Sequence, residues 1–507
     1  MKASRRVLIA LIALVALLPA CSIDTPRTAD TVTGDSNASA LAAAADDAAD
    51  AYRWLEQTDN PKALAWAKAR NAETVAAYAS TPAFTRTRDE ILGVLDSDAR
   101  IPFVGKMGDF YYNFWRDKAH PLGLWRRTTL AEYRKQHPRW DTLIDVGALA
   151  ARESEKWVWH GADCLRPDYR HCLVSLSRGG ADADVVREFD LKTRTFVANG
   201  FILPESKTSV GWIDADTIYV ATDFGPGSMT RSSYPRIVKA WKRGTPLSAA
   251  SVVYEGSVDD LFINAYRDPT PGFVRDFVER GLAFFSHERF LRGKDGRLTR
   301  IDVPNDAKMN VFREWMTVEL RTPWTVGGKT HAEGSLLATR FDDFMAGRRE
   351  FTVLFTPTDS TSLVDYSWTR HRLILDTMEN VVCRVTVLTP RRGAWKQEAI
   401  GVTPPLSAVS THAVDPADSD AYFLTVEGFL EPTTLYYGTL GKGKAAPIKH
   451  SPAFFDASKD DVSQSFATSK DGTRVPYFVI APKHLKLDGG NPTLLYGYGG
   501  FEVSMQP

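Results

Sequence analysis

Pro492-Thr493-Leu494-Leu495-Tyr496-Gly497-Tyr498-Gly499-Gly500-Phe501 is the stretch on which the reading of this chain turns. Thr493 to Tyr496 is a compact apolar run bounded by Pro and Gly, the pattern of a short, fully buried strand. The glycines after it permit positive φ and close backbone approach, so a sharp turn is expected where the strand ends. In α/β folds that edge is where ligands bind and oxyanion holes are built. The stretch therefore predicts the start of an α/β catalytic domain. The chain ends at Pro507, so that domain is expected to be incomplete.

Working outward, Phe466 to Ile480 reads as strand, Asp471-Gly472 hairpin turn and strand, and Pro482 to Asn491 reads as a loop. From Ile101 to about residue 455, short runs rich in Val, Ile, Thr, Tyr and Trp alternate with Gly, Pro, Asp and Asn turns. Val185 to Asp190 with Thr195 to Val197, Val210 to Ile213 with Thr217 to Thr222, and Arg236 to Trp241 with Ser251 to Tyr254 each suggest a hairpin. Phe351 to Phe355, Leu373 to Leu375, Tyr422 to Val426 and Thr434 to Gly438 continue the pattern. Many short strands at this spacing fit a sandwich, barrel or propeller, and the length of the region favours a propeller. No clean repeat period is visible.

Asp47 to about Asp96 has helical texture instead. Asn60-Pro61 offers a cap followed by Pro at the first helical position, and Leu64, Ala67, Asn71, Val75 and Tyr78 recur at helical spacing. Pro82 is expected to break the run, and a second helix is expected over Arg86 to Leu95.

At 507 residues, two or three domains are expected. The 62 basic and 62 acidic residues cancel, which argues against a nucleic-acid partner. The 13 Trp, 17 Tyr and 26 Phe suit a large β-rich core. Lys2, Arg5 and Arg6 precede an apolar run from Val7 to Leu18, then Pro19, Ala20 and Cys21, which is the layout of a secretory signal. Leu18-Pro19-Ala20-Cys21 also resembles a bacterial lipoprotein box, in which Cys21 would carry lipid. Plain secretion with Cys21 incidental is the alternative. Either reading places the protein in the periplasm or cell envelope, on the outer membrane if it is lipidated.

Cys164 and Cys172 flank a turn-like Arg166-Pro167-Asp168-Tyr169, so a local disulfide, two free thiols or a metal site with nearby His160 and His171 all remain open. The spacing of zinc ligands is not seen, and no metal is expected. Cys383 lies in a strand-like run and reads as a small buried hydrophobe. Gly34-Asp35-Ser36-Asn37-Ala38 imitates a nucleophile motif but lacks the strand before it and the helix after it. His331 and Glu333 read as hairpin or surface residues, Trp157 and Trp159 as packing between blades, and Asp182 with Asp184 as a solvated turn.

Tyr52-Arg53-Trp54-Leu55-Glu56, Ser469-Lys470-Asp471-Gly472-Thr473 with Val475-Pro476, and Leu494 to Phe501 together resemble the prolyl oligopeptidase family. Ala51 stands where that family commonly has Pro. The resemblance implies a mainly β chain: a seven-bladed β-propeller with an N-terminal helical segment and the first strands of an incomplete α/β-hydrolase domain. The implied layout is a signal peptide over 1–21, a flexible tether over 22–46, helices over 47–100, the propeller over 101–455 and the start of the hydrolase domain over 456–507. By resemblance Tyr498 is an oxyanion-hole donor and Phe501 a wall of the pocket for a proline ring. The family's Ser, Asp and His would lie beyond Pro507, and no Gly-x-Ser-x-Gly occurs in the chain. The expected function is that of the N-terminal portion of a serine peptidase that cleaves short proline-containing peptides. The chain alone is expected to be inactive. A non-catalytic peptide-binding propeller, or one part of a split hydrolase, is the alternative. No cofactor is implied, and a lipid anchor is the sole expected membrane contact.

Overall fold

The computed structural model describes residues 50–57, 59–392, 394–400, 404–498 and 503–507. The expected signal peptide, tether, Cys21, Ser36 and Phe501 lie outside these residues. The chain divides into two compact units, residues 1–89 and 90–507.

The described residues of the first unit are largely helical. A 3-10 turn over Arg53–Glu56 leads to helix α1, Pro61–Thr74. Asn60 caps α1 by accepting the Lys62 N–H, and Pro61 takes the first position, where its missing donor costs nothing. A single π turn, Val75–Ala79, continues α1. The first helical run does break ahead of Pro82, at Ser80 and Thr81, and helix α2, Pro82–Leu95, begins earlier than expected because Pro82 takes its first position.

The second unit contains seven antiparallel sheets of consecutive strands, the blades of a β-propeller. Blade one runs Gly105–Met107, Phe110–Trp115, Leu124–Thr128 and Asp141–Asp145. Blade two runs Trp157–Cys164, His171–Arg178, Asp184–Asp190 and Thr195–Phe196, with Ile202–Ser206 added beside its third strand. Blades three to seven begin at Ser209, Phe262, Lys308, Thr361 and Ala408. Blade five carries an inserted hairpin, Trp324–Val326 with Lys329–His331, and this is where His331 sits.

Apolar side chains decide how the blades stack. Each sheet is apolar on both faces, so each face needs a neighbour. Seven buried clusters lie among the described residues, one between each consecutive pair of blades. Trp125 and Trp157 join blades one and two, and Leu173 and Trp212 join two and three. Tyr219 and Ile263 join three and four, Phe277 and Met316 join four and five, and Leu336 and Leu375 join five and six. Cys383 and Val409 meet between six and seven. Tyr111 and Tyr133 of blade one then pack on Phe423 and Leu435 of blade seven, and the ring closes. Within the described residues, blades one and seven share no strand, so side chains alone close the ring.

After the last blade, Asp460–Thr468 and Arg474–Pro482 form the expected hairpin around Gly472. The next expectation fails. Residues 492–498 are irregular, with Leu494, Leu495 and Tyr496 at 73%, 94% and 72% exposure. A strand needs a ladder partner for its N–H and C=O groups, and no described strand is in register with this run. Apolar composition without that partner leaves irregular, solvated backbone.

Candidate functional site

Tyr498 stands at the end of this exposed run and is half exposed itself (51%). Phe501 falls outside the described residues. An oxyanion donor works only when its hydroxyl is held against the reacting carbonyl in a water-excluded site. Tyr498 lies on irregular backbone in solvent, so the described residues build no such site around it.

A different constellation is assembled in blade two. His160, Ser177 and Asp184 lie on its first three strands, which pair in sequence. The Ser177 hydroxyl is 3.1 Å from His160 Nε2, and His160 Nδ1 is 2.6 Å from Asp184 Oδ1. Burial pushes the Asp184 carboxyl up, and His160 pulls it partly back. These are the contacts of a serine nucleophile, its base and the carboxylate that orients the base. Exposure decides against chemistry. Ser177 has 0% exposure, so its oxygen cannot reach a carbonyl carbon. The set is a polar brace across one blade, one hydrogen bond from Ser177 to His160 and one close charged contact from His160 to Asp184.

Sequence reasoning missed this set and took Asp184 for a solvated turn. Asp182 does fit that description, at 80% side-chain exposure, but Asp184 opens a strand and turns onto His160. The signal available was strand alternation, which places a residue at each of these positions on one face.

The cysteines are settled by pairing. Cys164 and Cys172 are direct cross-strand partners and are joined by a disulfide. The two histidines beside them are also engaged: His160 with Asp184, and His171 with Glu188 at 2.8 Å. Glu188 is fully buried and receives two bonds from Arg243, at 2.7 and 3.0 Å, and one from the Phe201 N–H. Burial raises its pKa, but Arg243 and that N–H outweigh burial and hold it low. Among the described residues, no group of three or more His, Cys, Asp or Glu could hold a metal ion. Cys383 is a buried thiol, 4% exposed, and burial pushes its pKa up. It is inert for the same reason.

A cavity of about 260 Å³ opens between blades one and two. Gly105 and Lys106 from a first strand border it, and Tyr112, Phe114, Trp125 and Trp159 wall it. Phe114 stacks on Trp159 at 5.4 Å, and Trp125 tilts against Trp159 at 5.1 Å. Trp159 therefore does pack between blades, and it also leaves an aromatic recess. Such faces suit proline rings and apolar side chains.

Comparison with known proteins agrees with this architecture. Residues 32–451 match the family model for the prolyl oligopeptidase N-terminal beta-propeller domain. An uncharacterized peptidase of Sinorhizobium fredii is 38% identical over 475 residues, covering 92% of this chain and 65% of that protein. An uncharacterized peptidase of Rickettsia prowazekii is 30% identical over 473 residues, covering 90% of this chain and 65% of that protein. This chain thus spans 65% of the length of both curated relatives. Among solved structures, a post-proline cleaving enzyme from Rickettsia typhi superposes with a TM-score of 0.84 at 29% identity. That match covers 90% of this chain and 68% of the other. The seven stacked blades and the family match over most of their length lead to one conclusion: the chain belongs to the prolyl oligopeptidase family.

Proposed function

We propose that this chain is the propeller-bearing part of a serine peptidase whose complete form cleaves short peptides after proline. The observation that carries the reading is the family match over residues 32–451, laid on seven complete blades. The name of the Rickettsia typhi neighbour, a post-proline cleaving enzyme, supports the proline preference. In the complete enzyme Tyr498 donates to the oxyanion and Phe501 lines the proline pocket, both roles resting on the resemblance of Tyr496 to Phe501.

By itself the chain has no turnover in this reading, because the serine its described residues set beside a histidine is buried. A chromogenic proline peptide and a fluorophosphonate probe test this on the purified chain. No release of chromophore and no labelling are expected. Steady turnover, or a probe adduct mapped to Ser177, would overturn the inactive reading.

The aromatic recess between blades one and two favours a second role, binding of apolar or proline-rich peptide segments without cleavage. Saturable quenching of tryptophan fluorescence by a proline-rich peptide, lost in Trp159→Ala, would support it. We also propose an envelope location, through lipid on Cys21.

A further inference from the structure

The tip of the first hairpin of blade two does more than connect two strands. Cys164 and Cys172 close it covalently at its base, and the Leu165 N–H to His171 carbonyl bond, 2.9 Å, adds a rung above them. Within the tip, the Tyr169 N–H returns to the Leu165 carbonyl at 2.9 Å. Arg170 ties the tip to its own blade through Asp190, at 2.7 Å. Beyond these ties the tip reaches outward. The Tyr169 ring covers Gly108 in the first turn of blade one, 3.5 Å from where a Cβ would stand. Arg166 goes further and meets Asp415 of blade seven, its guanidinium 3.2 Å from Oδ1. Lys106 of blade one holds the other oxygen at 2.8 Å. Asp415 is nearly sealed from solvent, with 2% side-chain exposure.

We infer that this disulfide-braced tip, residues 165–171, is the clasp of the ring: it spans blade one and grips blade seven through Arg166 and Asp415. The need for one follows from topology, since blades one and seven share no strand among the described residues. A long side chain on a loose loop would spend much of its attraction on being ordered. The disulfide and Arg170 hold the loop in place beforehand, so Arg166 arrives nearly preorganised. Asp415 needs both cations, because a buried carboxylate that loses a partner keeps its desolvation cost. The sulfurs are not a redox trigger. Cys164 is 8% and Cys172 0% exposed, which shuts out an attacking thiolate.

Hydrogen exchange measured by mass spectrometry on the intact chain tests the clasp. Arg166→Leu keeps an apolar stem at this position and removes the charge. Exchange should speed up about tenfold or more, equivalent to about 1.4 kcal/mol, in the seam strands at 105–115 and 408–427. Blades three to five should not change. Cys164→Ser with Cys172→Ser should reproduce that regional pattern. If the double variant does not fold, Arg166→Leu decides alone. Acceleration confined to 157–178, acceleration spread evenly over all blades, or none would each overturn the inference.

Discussion

Asp376 is a buried carboxylate with no cation beside it among the described residues. It is 3% exposed and accepts bonds from the Thr411 N–H at 2.8 Å and the Thr411 hydroxyl at 2.8 Å, linking blades six and seven. Burial pushes its pKa up to about 7, more than the two bonds from Thr411 pull it down, and Asp365, its cross-strand partner, adds to the rise. A carboxyl that titrates higher in the folded chain than in the unfolded chain takes up a proton on folding. Its contribution is favourable at low pH, declines as pH rises from about 4 to about 7, and is a constant penalty above that. Asp376→Asn keeps an acceptor for the N–H and removes the titration. The unfolding free energy of the variant relative to the parent, from urea titration, should therefore be higher at pH 8 than at pH 4, by a difference on the order of 3–4 kcal/mol. A gap that does not change with pH would sink this reading. Legibility differs sharply at this scale. Tyr498 could be mapped from its motif, whereas Asp376, Asp415 and the Ser177 brace could not be singled out. Asp376 and Asp415 take their character from neighbouring blades distant in sequence, of which one-dimensional periodicity carries no record, while for the Ser177 brace alternation marks a shared face but not the contact.

At the level of strands, the hairpins were readable because their causes are local. Alternating β-branched and aromatic residues, with Gly, Asn and Asp between them, specify strand and turn without help from the rest of the chain. The miss at Thr493 to Tyr496 has the same explanation in reverse. Its apolar run was read correctly as composition, but a strand also requires a neighbour in register. One turn depends on a single residue. Gly123 enters the third strand of blade one with φ +95°, and a Cβ there would stand 2.3 Å from the Phe114 ring. Phe114 cannot move away freely, because it is stacked on Trp159 of the next blade. Gly123→Ala should lower stability by about 2 kcal/mol or more, from backbone strain plus the displaced ring. Calorimetry should show the loss, and Phe114→Ala in the same chain should recover part of it. A neutral Gly123→Ala would refute the account.

For the molecule as a whole, mainly β character and a propeller were legible from strand count and length, while the number of blades came only with the family resemblance. The location of the protein is an expectation of the same kind. No helix among the described residues is long and apolar enough to cross a membrane. If Cys21 is lipidated, a palmitate analogue fed to the producing cells will label the chain, and Cys21→Ala will abolish the label and release the protein from membranes. Labelling that survives the substitution would refute the anchor. The closure of the ring has a further consequence, for how the chain folds. Each blade is made of neighbouring segments, so its contacts form over short loops and can form early. Lys106 and Asp415 are separated by 309 residues, and joining two such points on an unstructured chain costs roughly 5 kcal/mol of loop entropy. Stacking the blades in order shrinks that open loop step by step, so the seam is the contact made most cheaply at the end. The first and last blades therefore wait longest for each other, and until they meet each presents a bare apolar face to whatever else is in solution.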